Sequence, residues 1–262
     1  MLGKLMKYEF MALGRVFLPL FGALIVISAV NNVLGMISLK TPAGISLAVA
    51  ILLMVGVAVI TFIIMIQRFW TNLLSNEGYL MMTLPVSADQ IILSKLFTAS
   101  ILSVASTIVV ALSILIITAA NINFSTIAEG IAYVLGQIPF SSSHAVILVI
   151  EFLIAVIISM FMNILLLYAS MSLSMVANKY RWLVAVGAYL AIVTALQIIF
   201  TAGVAIGVAT SFFDSFEWFI ASFPTFGQIQ IFVAGIMIIC LALCAAFYII
   251  TRYMLKNRLN LQ

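Results

Sequence analysis

The stretch Ile45-Ser-Leu-Ala-Val-Ala-Ile-Leu-Leu-Met-Val-Gly-Val-Ala-Val-Ile-Thr-Phe-Ile-Ile-Met-Ile-Gln67 carries no charged residue. A bilayer core about 30 Å thick takes about 20 apolar residues of helix, so this segment is long enough to cross one. Five further stretches read the same way, from about Val16 to Met36, Ile91 to Ala120, Ala145 to Ala177, Trp182 to Phe213, and Gly227 to Thr251. Each lacks the alternation of a lipid-exposed barrel strand. A helix satisfies its backbone internally, so the expected fold class is an all-α polytopic membrane protein of six spans.

Composition agrees. Of the 262 residues, 66% are hydrophobic and 7% charged, against about 45–50% apolar and about 25% charged in soluble domains. Such a chain cannot cover its surface with polar groups in water. A soluble enzyme, a disordered chain and a nucleic-acid reader are excluded on that ground. The net charge of +4 matters through its placement. Lys4, Lys7 and Arg15 precede the first span, and Arg68 and Lys95 flank the connection between the second and third. Lys179 and Arg181 lie between the fourth and fifth, and Arg252, Lys256 and Arg258 follow the sixth. Six spans put all of these on one side and only Lys40 on the other, which predicts both termini in the cytoplasm. The long charged preface, with Glu9 in it, and the poor cleavage sequence Ile27-Ser28-Ala29 read the first span as retained rather than removed as a leader.

Residues 1–14 have their own pattern. Leu2, Leu5, Met6, Phe10 and Leu13 share one helical face, and Lys4, Lys7 and Arg15 another, which predicts an interfacial amphipathic helix. The plainer alternative is a charged flank that sets topology. The rest of the chain reads as a single transmembrane domain over 1–262, without a soluble domain or a clear internal repeat. No phosphate-cradling glycine loop, nucleophile elbow or histidine metal cluster is present, and His144 is the sole histidine. The chain is therefore read as no enzyme, with no catalytic, cofactor or metal residues.

The connection after the second span is unusual. Ser87 and Gln90 have capping-box spacing, with Val86 and Ile91 as the staple, so a helix is expected from Ala88 to about Ala119. Before it, Phe69, Trp70, Leu73, Leu74, Tyr79, Leu80, Met81, Met82 and Leu84 are large and apolar, and Glu77 is the sole charge between Arg68 and Asp89. A contiguous apolar patch marks an interaction surface. It can dip into the interface, fold back on the bundle, or dock on another protein.

The run Glu77-Gly78-Tyr79-Leu80-Met81-Met82-Thr83-Leu84-Pro85-Val86-Ser87, then Ser94-Lys95, resembles the region after the second span of ABC-2-type permeases. So does the start, Leu5-Met6-Lys7-Tyr8-Glu9-Phe10 leading through Arg15 to Pro19. These are membrane subunits of bacterial ATP-binding-cassette exporters whose ATPase is a separate chain. The resemblance implies that Met1–Gly14 is the surface connecting helix and that about Phe69 to Pro85 holds a coupling helix. Leu73, Leu74, Glu77, Gly78, Tyr79, Leu80 and Leu84 would then dock on the ATPase, with Lys179 and Arg181 in a smaller second contact. ATP and magnesium would sit in that partner, this chain would bind no cofactor itself, and a second permease subunit, identical or paralogous, would complete the complex in the cytoplasmic membrane. It also implies a fold-back between the fifth and sixth spans, with the fifth helix ending near Thr201 and returning through Phe226.

Single residues complete the reading. Glu151 is the one acid well inside an apolar stretch, and such carboxylates are candidates for function. Asn163 and Gln197 either bond across helices or line a path. Gly203 and Gly207 match the close-packing pattern of membrane helices. Ser100, Ser103 and Thr107 form a small polar stripe on the third span, and Cys240 and Cys244 are small apolar fillers. Two rival functions remain: a proton-coupled transporter using Glu151, and a non-transporting assembly or sensor subunit.

Overall fold

A computed structural model describes residues 2–37, 40–71, 88–119, 129–130, 133, 142–177, 180–210, 215 and 225–257. Among these the chain is helical throughout its long elements: α1 Leu2–Met36, α2 Lys40–Phe69, α3 Ala88–Thr118, α4 Ser142–Leu173, α5 Arg181–Ala209 and α6 Thr225–Asn257. All six are long and apolar enough to cross a membrane. Each matches one stretch read from the sequence.

Two boundaries differ from expectation. The surface helix expected over 1–14 does not exist as a separate element, because α1 runs unbroken from Leu2 through Gly14, Arg15 and Pro19 to Met36. Pro19 removes one backbone donor inside the helix, a defect that membrane helices tolerate. The fifth helix does not end near Thr201. It continues to Ala209, with the Thr201 hydroxyl donating to the Gln197 carbonyl at 2.8 Å, so the threonine returns its own polar group to the helix. The proposed fold-back falls on 211–224, which lies outside the described residues apart from Ser215.

The chain divides into two compact units. The first contains α1, α2 and α3. α1 packs most widely on α3, then on α2, while α2 and α3 touch less. Its apolar centre is Leu13, Phe17 and Leu102, flanked by Leu20, Phe21, Ile60 and Ile64. The Phe17 and Phe21 rings lie 5.5 Å apart and tilted. Polar ties stitch the helices at three levels. Asn31 donates to the Ala43 carbonyl at 2.8 Å and to Ser46 Oγ at 2.7 Å, and Asn32 donates to the Ile116 carbonyl at 2.7 Å. Thr61 and Ser106 share a buried hydroxyl contact of 2.9 Å midway. Glu9 meets Arg68 and Lys95 at the other end. These pairings make α2 antiparallel to α1 and α3 parallel to it.

The second unit contains α4, α5 and α6, with α4 packing most on α6 and next on α5. Gln230 meets Glu151 and Cys244 meets Ile158, so α4 and α6 run parallel. Burial is concentrated late in α4, where Ile164 through Ser172 are buried around the whole helix. Ser170, Ser172 and Ser174 donate to the carbonyls three residues back, at Leu167, Ala169 and Met171. Such back-bonding often bends a helix, and here it precedes the 3-10 turn Ser174–Val176. Tyr180 then turns the chain in the left-handed region at φ 59°, directly before α5.

Candidate functional site

The strongest concentration of charge lies where α1, α2 and α3 meet. Glu9 stands on the buried stripe of α1 with Met6, Leu13 and Phe17, whereas Lys7, Tyr8, Met11 and Arg15 are exposed. Arg68 occupies the last turn of α2, and Lys95 the second turn of α3. The Arg68 guanidinium donates to Glu9 Oε2 at 3.0 Å, and the Lys95 ammonium donates to Glu9 Oε1. Lys95 keeps 4% of its side-chain surface, Glu9 10% and Arg68 31%. One carboxylate thus joins two cations from two other helices.

Burying such charges is tolerable only because each has a partner. The depth of the cluster is set by its distance from the asparagine ties. Glu9 and Asn31 are 22 residues apart on α1, about 33 Å along the axis. That is close to the hydrocarbon thickness of a bilayer. The charges and the asparagines therefore fit the two polar boundaries of a membrane, with the Leu13–Phe17–Leu102 core between them. Lys7, Arg15, Arg68 and Lys95 lie toward the Glu9 end of this unit, and Lys40 begins α2 at the opposite end. In the second unit Arg181, Arg252 and Lys256 gather at the start of α5 and the end of α6.

The sequence reading used Arg68 and Lys95 for topology and Glu9 against a leader peptide, and missed that they meet. A signal was present. Glu9, Leu13 and Phe17 recur every four residues, so the acid falls on the face that packs, and a buried acid calls for cations on its neighbours.

The docking residues inferred from the family resemblance, Leu73, Leu74, Glu77, Gly78, Tyr79, Leu80 and Leu84, lie outside the described residues, as does Lys179. So does Ser87 with its proposed cap, although α3 starts at Ala88 as that cap predicts. Arg181 is described. Its Nε donates to the Ala177 carbonyl at 3.2 Å and closes the turn before α5.

The intramembrane candidates separate from one another. Glu151 Oε1 accepts from Gln230 Nε2 at 2.8 Å, linking α4 to α6, while its Oε2 is sealed from solvent without a hydrogen-bond partner. Beside it lies a groove of about 380 Å³ lined by Leu148, Glu151, Phe152, Ala155, Val233, Ile236 and Met237. Asn163 is exposed and donates to Ser159 of its own helix at 2.7 Å, not across the bundle. Gln197 is exposed on α5. A side chain at Gly203 would meet open space, so among the described residues no helix packs against it, whereas Gly207 is buried. Ser100 and Thr107 donate to the carbonyls of Leu96 and Ser103, and it is Ser106, beside that stripe, that bonds across to α2. Cys240 and Cys244 are free thiols, and Cys244 faces the Ile158 carbonyl at 3.8 Å.

Comparison with known proteins returns no matching family model, no matching curated protein and no matching solved structure.

Proposed function

We propose that this multi-pass membrane protein is the permease subunit of an ABC-2-type exporter in a bacterial cytoplasmic membrane, with both termini inside. It forms part of a translocation path and couples that path to a separate ATP-binding-cassette ATPase, which holds the ATP and magnesium. A second permease, identical or paralogous, completes the path. The cargo is amphipathic: an antimicrobial peptide, a lipid or a hydrophobic drug.

The observation that carries the reading is the Glu9 tie, taken with the residues it brackets. In sequence, the apolar segment that resembles a coupling helix follows Arg68 and precedes Lys95. Both of these side chains are held by the same carboxylate on α1. A displacement of the segment would therefore pull on α1, α2 and α3 together rather than being absorbed in side-chain rotation. In this mechanism ATP-driven closure of the ATPases pushes the segment, the tie passes the motion to three spans, and the bundles rock to change access to the path. The positive ends of both units, facing the cytoplasm, give the orientation that this requires.

The test is co-expression with an ATP-binding-cassette ATPase, sought first in the neighbouring reading frame. Tyr79→Glu with Leu80→Glu is expected to lower recovery of the ATPase with the permease by about ten-fold, the effect of placing a charge in a desolvated pocket. Helical content should stay unchanged. Unchanged recovery with normal ATP-driven transport would remove the docking assignment. The proton-coupled rival, with Glu151 as its site, is separated by transport from the purified chain alone under a proton gradient.

A further inference from the structure

Glu151 has half of its hydrogen bonding filled. Gln230 donates to Oε1, and Oε2 is buried with no partner. An orphaned polar atom in an apolar membrane segment is disfavoured unless something supplies the missing partner. Among the described residues, the unit that holds it offers no cation within reach. Lys179 and Arg181 follow α4, whose last residue, Leu173, is already about 33 Å along the axis from Glu151. Arg252 and Lys256 stand as far or farther from Gln230 near the end of α6, which runs parallel to α4. His144, about two turns earlier, is the nearest other titratable residue in the sequence of α4.

The groove beside the carboxyl says what kind of partner fits. Its lining is aliphatic or aromatic except for Glu151 and the thioether of Met237. Phe152 and Ile236 at its wall are exposed, so it opens at the surface of this unit. At about 380 Å³ it lies at the lower end of small-ligand sites, suited to one hydrocarbon chain.

The geometry points to a binding site between α4 and α6 for a single-chain amphiphile with a primary ammonium head. Its tail lies in the groove, and the Glu151 side chain, which lines that groove, turns its unpartnered Oε2 to accept from the head. Binding requires no ATPase, so the site is tested on the chain alone, whether or not the coupling reading holds.

The full-length chain is reconstituted in phosphatidylcholine nanodiscs and exposed to a dodecylammonium probe bearing a photoactivatable diazirine, and the labelled peptides are mapped by mass spectrometry. Labelling is expected within 148–155 and 233–237. Excess dodecylammonium should displace it, while dodecyl sulfate and dodecyltrimethylammonium, which lacks an N–H donor, should not. Glu151→Gln should cut labelling by about ten-fold, the scale of one charge-assisted hydrogen bond. Ala155→Trp, which fills the groove and leaves the carboxyl intact, should do the same with unchanged helical content. Labelling spread over all exposed helix faces, equal labelling of Glu151→Gln, or equal competition by the sulfate would overturn the site. Equal competition by phosphatidylethanolamine would overturn the single-chain occupant in favour of a bilayer lipid.

Discussion

Glu9 and Glu151 are both carboxyl groups set into long apolar helices, and the chain satisfies them in opposite ways. Glu9 is held by two cations from two other helices. Glu151 receives one amide and faces a greasy groove with its second oxygen unfilled. In the first unit the charges close on themselves and become a joint. In the second they are left open, as a site that exchanges partners must be.

If that contrast is right, the largest loss of stability comes from Glu9→Gln. It strands Lys95, which keeps 4% of its side-chain surface, in a low-dielectric interior. Removing one partner of a buried pair costs about 3–5 kcal/mol, and reversible unfolding in bicelles is expected to read that range. Glu9→Leu with Lys95→Leu should regain most of it, since an apolar pair carries no uncompensated charge. A loss under about 1 kcal/mol in the single variant would place the cluster in water and dissolve the contrast.

Smaller effects sharpen the same comparison. Arg68 is the most exposed member of the cluster, at 31% of its side chain. Arg68→Ala should cost about 1 kcal/mol or less in the same measurement, the scale of a partly solvated ion pair. A larger loss would make Arg68, rather than Lys95, the anchor. At the other end of the unit Asn31 ties α1 to α2 through two hydrogen bonds. Asn31→Ala should cost about 0.6–1.7 kcal/mol, from the mean to the maximum measured for polar contacts between membrane helices.

What could be read from the chain follows from where physics is local. A helix in lipid must be long and apolar, so all six spans stood in the sequence, including the start of α3 at Ala88. The ends that failed were those decided by more than apolar length. Nothing in Gly14-Arg15 says whether α1 stops, and Pro19, which would argue for a break in water, is compatible with a continuous membrane helix. α5 outran Thr201, whose hydroxyl bonds back to its own helix. The meeting of Glu9, Arg68 and Lys95 was hidden for another reason: the residues are 59 and 86 positions apart and meet only once three helices pack. Glu151 could be singled out from the sequence, but its amide partner, 79 residues away, could not.

The smallest expected change in stability is at Glu151, and it is the most informative. Glu151→Gln keeps an oxygen to accept from Gln230 and removes no ion pair, so unfolding should shift by about 0.6 kcal/mol or less, the mean for such contacts in membranes. In Glu9→Gln the same chemical change strips a buried lysine of its counter-charge. The two substitutions therefore differ in context alone. Nearly equal losses would mean that Glu151 also holds a structural charge pair, and the groove beside it would lose its claim to be an open site. A small loss of stability together with a large loss of amine labelling would separate the two roles within one chain.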